Sequence, residues 1–407
     1  MHMSEGKLLE DISFNFSFIG ELSADAPGVK KINTCIQCGS CSSSCPAKDA
    51  GGITHRQLWR LIQMGLDTEA VSSEKYWNCT TCALCDNRCP RGIPLSHIVL
   101  KLRELYNTNE ELPPAVRQTL SNLELSRNIT GDKPENRFLW IENLGISREK
   151  ISSLFKEKSD AVYYTGCVGA LFPQVYKIPQ SLTKLLMDMN ADFSLLEEEW
   201  CCGFPVMASG RGIGAVKEYA QHNIEAIKKK NASVVLVSCP TCHYMFNKIY
   251  PMLYDGPLNL KVLHYTEYIG ELVRKNGMKF KTDDVTVTYH DPCDLGRKLG
   301  ITGPPRELIN SLPGVKFTEM RFNAEEGKCC GGGGNLEMVN PELSFSIAKN
   351  RLEEALSTNA EYLLTCCQQC RRTLQNAARK ARARIKVYDF LEFLALRFEA
   401  TDGGELK

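Results

Sequence analysis

The chain has 407 residues, 19 of them cysteine, and 49 Lys plus Arg against 48 Asp plus Glu, a formal charge of +1. With 43% hydrophobic and 24% charged residues it can bury real cores, which excludes global disorder, and the balanced charge argues against a nucleic-acid binder, which carries a clustered basic excess. The length predicts two to four domains. No apolar stretch approaches the roughly 20 residues of a spanning helix, and the opening MHMSEGKLLEDISFNF lacks a basic segment followed by an apolar one, so a cytoplasmic setting is expected. The cysteines are too dilute for a small disulfide scaffold, which exceeds about 8% Cys. In a reducing compartment such clusters bind metal more often than they pair.

After an N-terminal extension (1–30), Cys35, Cys38, Cys41 and Cys45 form C-x2-C-x2-C-x3-C, closed by Pro46. Cys79, Cys82, Cys85 and Cys89 repeat the spacing, closed by Pro90. This is the bacterial-ferredoxin run for a 4Fe–4S cubane, in which the fourth cysteine of each run serves the other cluster. The predicted sets are Cys35, Cys38, Cys41 and Cys89 for one cubane, and Cys79, Cys82, Cys85 and Cys45 for the other. Zinc also uses C-x2-C pairs, but it has no use for a third cysteine at the same step followed by proline, twice. Between the runs, ITHRQLWRLIQMGL places Leu58, Leu61, Ile62 and Leu66 on one helical face, and after Pro90 IPLSHIVLKLRELYN predicts a second helix. A helical ferredoxin-type domain over 31–110 follows. With all eight cluster positions filled, His55 and His97 read as packing or surface residues.

Residues 111–160 read as a helical connector broken at Pro113–Pro114 and at GDKP (131–134). Phe138, Trp140, Ile141, Leu144 and Ile146 suit packing between domains, not a flexible tether.

The remaining cysteines repeat. Cys201-Cys202-Gly203 precedes C-x2-C at Cys239 and Cys242, and Cys329-Cys330-Gly331 precedes C-x2-C at Cys367 and Cys370, every offset being 128. Cys167 and Cys293 lead the two sets. The helical patterns GAVKEYAQHNIEAIKKKNA and PELSFSIAKNRLEEALSTNA end in Asn-Ala at the same offset, each followed by an apolar strand, SVVLVS or EYLLTC. Further strands, AVYYTG and VTVTYH, precede Cys167 and Cys293. Such alternation predicts α/β units with a largely parallel sheet, whose carboxyl edge is where ligand sites lie. Glycines at 203 and 331–334 let backbone approach a bulky inorganic group. Cys366, aligned with Ser238, is left over as a packing residue. Gly210-Arg211-Gly212-Ile213-Gly214-Ala215 faintly imitates a dinucleotide fingerprint, but no strand leads into it, so neither flavin nor NAD is expected in this chain.

These motifs resemble the heterodisulfide reductase family. The repeated five-cysteine signature is similar to the duplicated cysteine-rich CCG domain of its B-type component, and the paired runs CIQCGSCSSSCP and CTTCALCDNRCPRGIPL resemble its C-type, ferredoxin-like component. The whole resembles the C-to-B fusion found in the D-type component, over roughly residues 30 to 395. The resemblance implies an α+β multidomain chain: an all-α ferredoxin-like domain, then two pseudo-repeat α/β CCG domains at 161–282 and 283–397, with a tail at 398–407. It implies two noncubane 4Fe–4S clusters besides the two cubanes, one held by Cys167, Cys201, Cys202, Cys239 and Cys242, the other by Cys293, Cys329, Cys330, Cys367 and Cys370. Electrons would enter from a flavin-containing or other redox subunit, with a membrane cytochrome as a further partner that would hold the chain at the membrane periphery. They would cleave a small-molecule disulfide, for whose anionic thiols His290, Arg297, Lys298 and Arg306 offer positive charge. The alternative is an electron relay to another acceptor, such as an aromatic acyl-CoA reductase, a sulfur-compound reductase or a quinone module.

Overall fold

The computed structural model describes residues 19–20, 28–48, 54–72, 76–105, 112–276 and 279–399. Most of the expected extension (1–30) and tail (398–407) therefore lies outside the described residues.

Between residues 28 and 105 the described residues form helices and no strand. Helix α1 (His55–Gln63) starts at a capping box in which Thr54 and Gln57 satisfy each other's backbone N–H. It buries Leu58, Trp59 and Ile62 against Ile98, Val99 and Leu102 of helix α2 (Leu95–Leu105). Both helices lie where the apolar period of the sequence puts them, although α1 ends at Gln63 and leaves Leu66 beyond it. His55 is buried beside Trp59, their rings 5.8 Å apart, while His97 is exposed on α2. Helix α3 (Pro114–Ser126) opens the connector, whose Trp140, Ile141 and Leu144 enter a core that both sheets share.

Two four-stranded sheets follow, with all strand pairs parallel. The first comprises β1 (Ala161–Tyr164), β2 (Phe193–Leu195), β3 (Val234–Val237) and β4 (Lys261–His264) in the order β2-β1-β3-β4. The second comprises β5 (Val285–His290), β6 (Val315–Phe317), β7 (Tyr362–Thr365) and β8 (Lys386–Asp389) in the order β6-β5-β7-β8. The identical order, and the register Tyr164 to Val237 against His290 to Thr365, make the second half a structural copy of the first. Helix α4 (Lys217–Lys229) leads to β3 and helix α5 (Pro341–Leu356) to β7. After each comes an asparagine in the left-handed region, Asn231 (φ 55°) and Asn359 (φ 58°), which is why Asn-Ala recurs in the sequence. Helix α6 (Gln368–Lys380) follows β7.

The apolar strands β1, β3 and β7 are covered on both faces, as parallel strands must be. In the shared core Tyr289 Oη lies 2.6 Å from Cys366 Sγ, and in the first half Tyr163 Oη lies 2.7 Å from Ser238 Oγ. Cys366 thus occupies its partner serine's role, fully buried, with its thiol pushed well up by burial.

The glycines that imitate a nucleotide loop are packing residues. Gly210 adopts φ +84°, and a Cβ there would lie 2.3 Å from the carbonyl oxygen of Arg103 on α2. Gly212 meets the Glu104 carboxylate in the same way, at 2.8 Å. Gly210→Ala would force a left-handed alanine into a backbone contact; the expected outcome is a loss of about 2 kcal/mol or more, seen as a lowered melting temperature.

Candidate metal centres

Each half brings its five cysteines to the carboxyl edge of its sheet. In the first, β1 turns at Thr165–Gly166 into Cys167, the loop after β2 carries Cys201 and Cys202, and β3 runs through Ser238 into Cys239 and Cys242. The strand order reverses between β1 and β3, so these thiols flank a topological switch point. All five are buried, at 2–7% exposure. Their sulfurs form one chain of thiol contacts, Cys167 to Cys201 to Cys202 to Cys242 to Cys239. The second half repeats it as Cys293 to Cys329 to Cys330 to Cys370 to Cys367. Cys201 draws the Cys202 thiol down to about 6, while contacts with its neighbours and burial hold Cys242 well up.

Five buried, mutually touching sulfurs are a poor resting place for free thiols and a good one for a cationic, sulfur-seeking group. None of the 19 cysteines is in a disulfide. Glycines complete the cradle: a Cβ on Gly166 would sit 3.2 Å from Cys242 Sγ. On these grounds the residues fit an iron–sulfur group in each half.

Around this shared plan the halves differ. In the first, the buried Arg137 guanidinium donates to Glu199 Oε1 (2.7 Å) and to Cys167 Sγ (3.2 Å). Glu199 also accepts from the backbone N–H groups of Thr165 (2.7 Å) and Gly166 (2.9 Å). In the second, a ring nitrogen of His290 and the sulfurs of Cys330 and Cys370 all lie within 4.8 Å of one another. Arg351 Nε donates to His290 Nδ1 (3.0 Å), so the neutral ring carries its proton on Nε2. The halves are joined by Gln368, between Cys367 and Cys370. It accepts from Gly169 N–H (2.8 Å) and donates to Thr165 O (2.9 Å) and Ser238 Oγ (2.8 Å).

In the ferredoxin region Cys35, Cys38, Cys41 and Cys89 line one small cavity with Trp59, so the first predicted set is assembled in space. Cys79, Cys82 and Cys85 lie within electrostatic reach of one another, and Cys45 packs against the small apolar cluster of Ala47 with Leu336, Leu343 and Ile347 of the second half. Cys82 also contacts Cys329, which pulls its thiol down to about 6. The second ferredoxin run therefore abuts the second five-cysteine set. The Gly333–Gly334 backbone packs on the same run, where a Cβ on Gly334 would lie 2.5 Å from Cys79 O.

A cavity of about 400 Å³ opens beside the first set. Cys167, Cys201, Cys202, Cys239 and Cys242 form one wall, and Gly332–Asn335, Glu337, Gln369 and Arg372 of the second half form the other. Arg372 is paired with Glu337, stacks on Phe172 at 4.8 Å and keeps its Nε buried without a partner. The four cations expected to face a substrate do not line it. Arg297 donates to Cys82 O (2.6 Å) and Glu325 O (2.8 Å), Lys298 pairs with Asp294 (2.7 Å), and Arg306 pairs with Asp291 (2.8 Å) and Glu319 (2.6 Å). His290 lies against its own cysteines. Arg372, Arg137 and Gln368 are not singled out by the sequence, where nothing but the fold brings them to the thiols.

The cysteine-rich CCG domain family matches residues 161–247 and 287–375, and the 4Fe-4S dicluster domain family matches 31–93. The D subunit of dihydromethanophenazine:CoB--CoM heterodisulfide reductase from Methanosarcina acetivorans is 32% identical, over 90% of this chain and 93% of its own length. The chain belongs to the heterodisulfide reductase D-type family. The B subunit of fumarate reductase (CoM/CoB) from Methanothermobacter marburgensis is 27% identical, over 92% of this chain and 74% of its own. As in those relatives, this D-type chain is an iron–sulfur oxidoreductase subunit. A hypothetical protein from Helicobacter pylori shares the fold at a TM-score of 0.50 and 11% identity, over 86% of this chain and 73% of that one. Among the described residues no helix is long and apolar enough to cross a membrane.

Because Gln368 satisfies backbone groups across the two halves, Gln368→Leu leaves a buried N–H and a buried carbonyl unpaired. The expected cost is about 2–3 kcal/mol, read as an earlier thermal or urea transition.

Proposed function

We propose that the chain takes electrons singly from a partner redox subunit into two 4Fe–4S cubanes and passes them to two noncubane 4Fe–4S clusters, which reduce a small-molecule disulfide to two thiols. The cubane sets are Cys35, Cys38, Cys41 with Cys89, and Cys79, Cys82, Cys85 with Cys45. The noncubane sets are the two groups of five. A cluster so bound supplies electron storage and a soft iron centre for sulfur.

The observation that carries the reading is continuity. The second ferredoxin run touches Cys329, the two five-cysteine groups share an edge through Gln368, and a ligand-sized cavity opens on the far group. The protein's own contribution is to orient and to exclude water. Buried cysteines, Phe172 and Phe204 keep the inner cavity dry, while Gln369 and the Arg372–Glu337 pair offer polar contacts to whatever enters. The electron-donating partner on this reading is a flavin-containing subunit or a membrane cytochrome, and the setting is cytoplasmic.

Iron analysis tests the assignment. The intact chain should hold about 16 irons, and Cys202→Ser should lower this to about 12, removing one noncubane spectroscopic signal while both cubane signals persist. A colourless zinc protein, or a Cys202→Ser variant with unchanged iron and spectra, would contradict it.

A further inference from the structure

The two five-cysteine groups are alike in sequence and unlike in what meets their sulfurs, and the difference lies in the connector. Arg137 sits in the short helical turn Pro134–Phe138, 4% exposed, and its guanidinium is shared between Glu199 Oε1 (2.7 Å) and Cys167 Sγ (3.2 Å). Glu199 is equally buried, stands two residues before Cys201, and gathers the Thr165 and Gly166 N–H groups at the corner that leads into Cys167. One ion pair therefore holds two of the cysteine-bearing segments, and its cationic end points at a sulfur.

Among the described residues the second half has no such direct bond: its buried guanidinium, Arg351, pairs with Glu354 (2.8 Å) and meets the sulfurs only through the His290 ring (3.0 Å). Its leading cysteine, Cys293, is partly exposed, and among the described residues no guanidinium donates to it. The cation near it, Lys298, pairs with Asp294 at 2.7 Å as Arg137 pairs with Glu199, but it carries no bond to a sulfur like that of Arg137 to Cys167. The strand position of Tyr164 is taken by His290, a neutral donor beside Cys330 and Cys370.

We infer that Arg137 is a positioning residue that raises the reduction potential of the first-half centre relative to the second, making the centre beside the cavity the electron sink of the pair. Reduction adds negative charge to a thiolate-bound centre, and a buried cationic donor on one of its sulfurs stabilises the reduced form. Hydrogen bonds to the sulfurs and net charge are the established levers on such potentials. A charge-assisted bond in a dry site is strong enough for the effect to exceed tenfold in the reduction equilibrium. The inference rests on the proposed cluster at Cys167, Cys201, Cys202, Cys239 and Cys242.

The test is an EPR-monitored redox titration of the full-length, iron-loaded chain, with the second-half centre and the cubanes as internal references. Removing Arg137 alone would strand the buried Glu199 charge and unfold the corner, so the principal variant is the neutral pair Arg137→Gln with Glu199→Gln. Because the guanidinium and not the carboxylate meets the sulfur, the one-electron reduction equilibrium of its first-half centre should fall tenfold or more, about 59 mV in potential, while the other three centres stay put. Arg137→Lys keeps the cation and should recover part of the shift. Full iron content with an unmoved first-half potential overturns this inference alone, as does an equal shift of all four centres. Absence of any noncubane signal in the unmodified chain overturns the underlying cluster assignment, and the inference falls with it. Should the double variant lose iron, Glu199→Gln alone decides: it frees the Arg137 cation from its carboxylate, so the first-half potential should rise above the parent's, and an unmoved or lower potential overturns the inference.

Discussion

The guanidinium of Arg103 is wholly buried, and its donors go to backbone carbonyls in three separate parts of the molecule: Tyr76 (2.8 Å) and Cys79 (2.9 Å) in the ferredoxin region, Ala208 (2.8 Å) in the first half, and Gly334 (3.0 Å) in the second. It also lies over the Trp77 ring at 4.7 Å. A guanidinium suits this junction because its planar fork offers five donors in fixed directions, where a lysine would offer a rotating point charge. Burial pulls Arg103 down to about 10, still far above neutrality, so the charge persists. Around it pack three backbones that tolerate no side chain: Gly210 against Arg103, Gly333 against Thr80, and Gly334 against Cys79. The spacing between the ferredoxin run and the five-cysteine edges is set by these contacts.

Within that frame the duplication is used asymmetrically. Equal strand order and equal sulfur chains show that both halves keep the same binding plan. The partners of the sulfurs diverge: an arginine–glutamate pair in the first half, and a histidine oriented by Arg351 in the second. The cavity sits on the first group, whereas the ferredoxin contact sits on the second. The two features thus lie on different groups, with Gln368 spanning the seam.

What was legible in the sequence was whatever depends on local spacing. The cysteine offsets, the helices at His55–Gln63 and Leu95–Leu105, and the strands leading into the cysteines all follow from neighbours along the chain. Strands β2 and β6, at three residues each, are too short to show a period, and β4 and β8, as long as β1 and β3, each open on an exposed lysine and mix polar with apolar residues, so the sheets have twice the strands that the sequence pattern displayed. Arg103 reads as a polar residue in an amphipathic helix, yet it points into the junction. Arg137 and Glu199 are 62 residues apart, and no periodicity links them. Of the cations, Arg297 and Arg306 take partners from outside their own helices, Cys82 O in the ferredoxin region and Asp291 with Glu319, whereas Lys298 is paired locally with Asp294 one helical turn away. The cysteines that the fold gathers were thus readable, and the charged and amide side chains packed around them were not.

The most direct measurement is a stopped-flow reaction of the dithionite-reduced, iron-loaded chain, freed of excess reductant, with a panel of small disulfides. Cleavage consumes two electrons and two protons and yields two thiols, so cluster absorbance should reoxidise in step with thiol release, one disulfide for every two electrons stored. Reoxidation without thiol release, or no reaction with any disulfide while another acceptor is reduced readily, would contradict disulfide reduction and identify the chain as a relay.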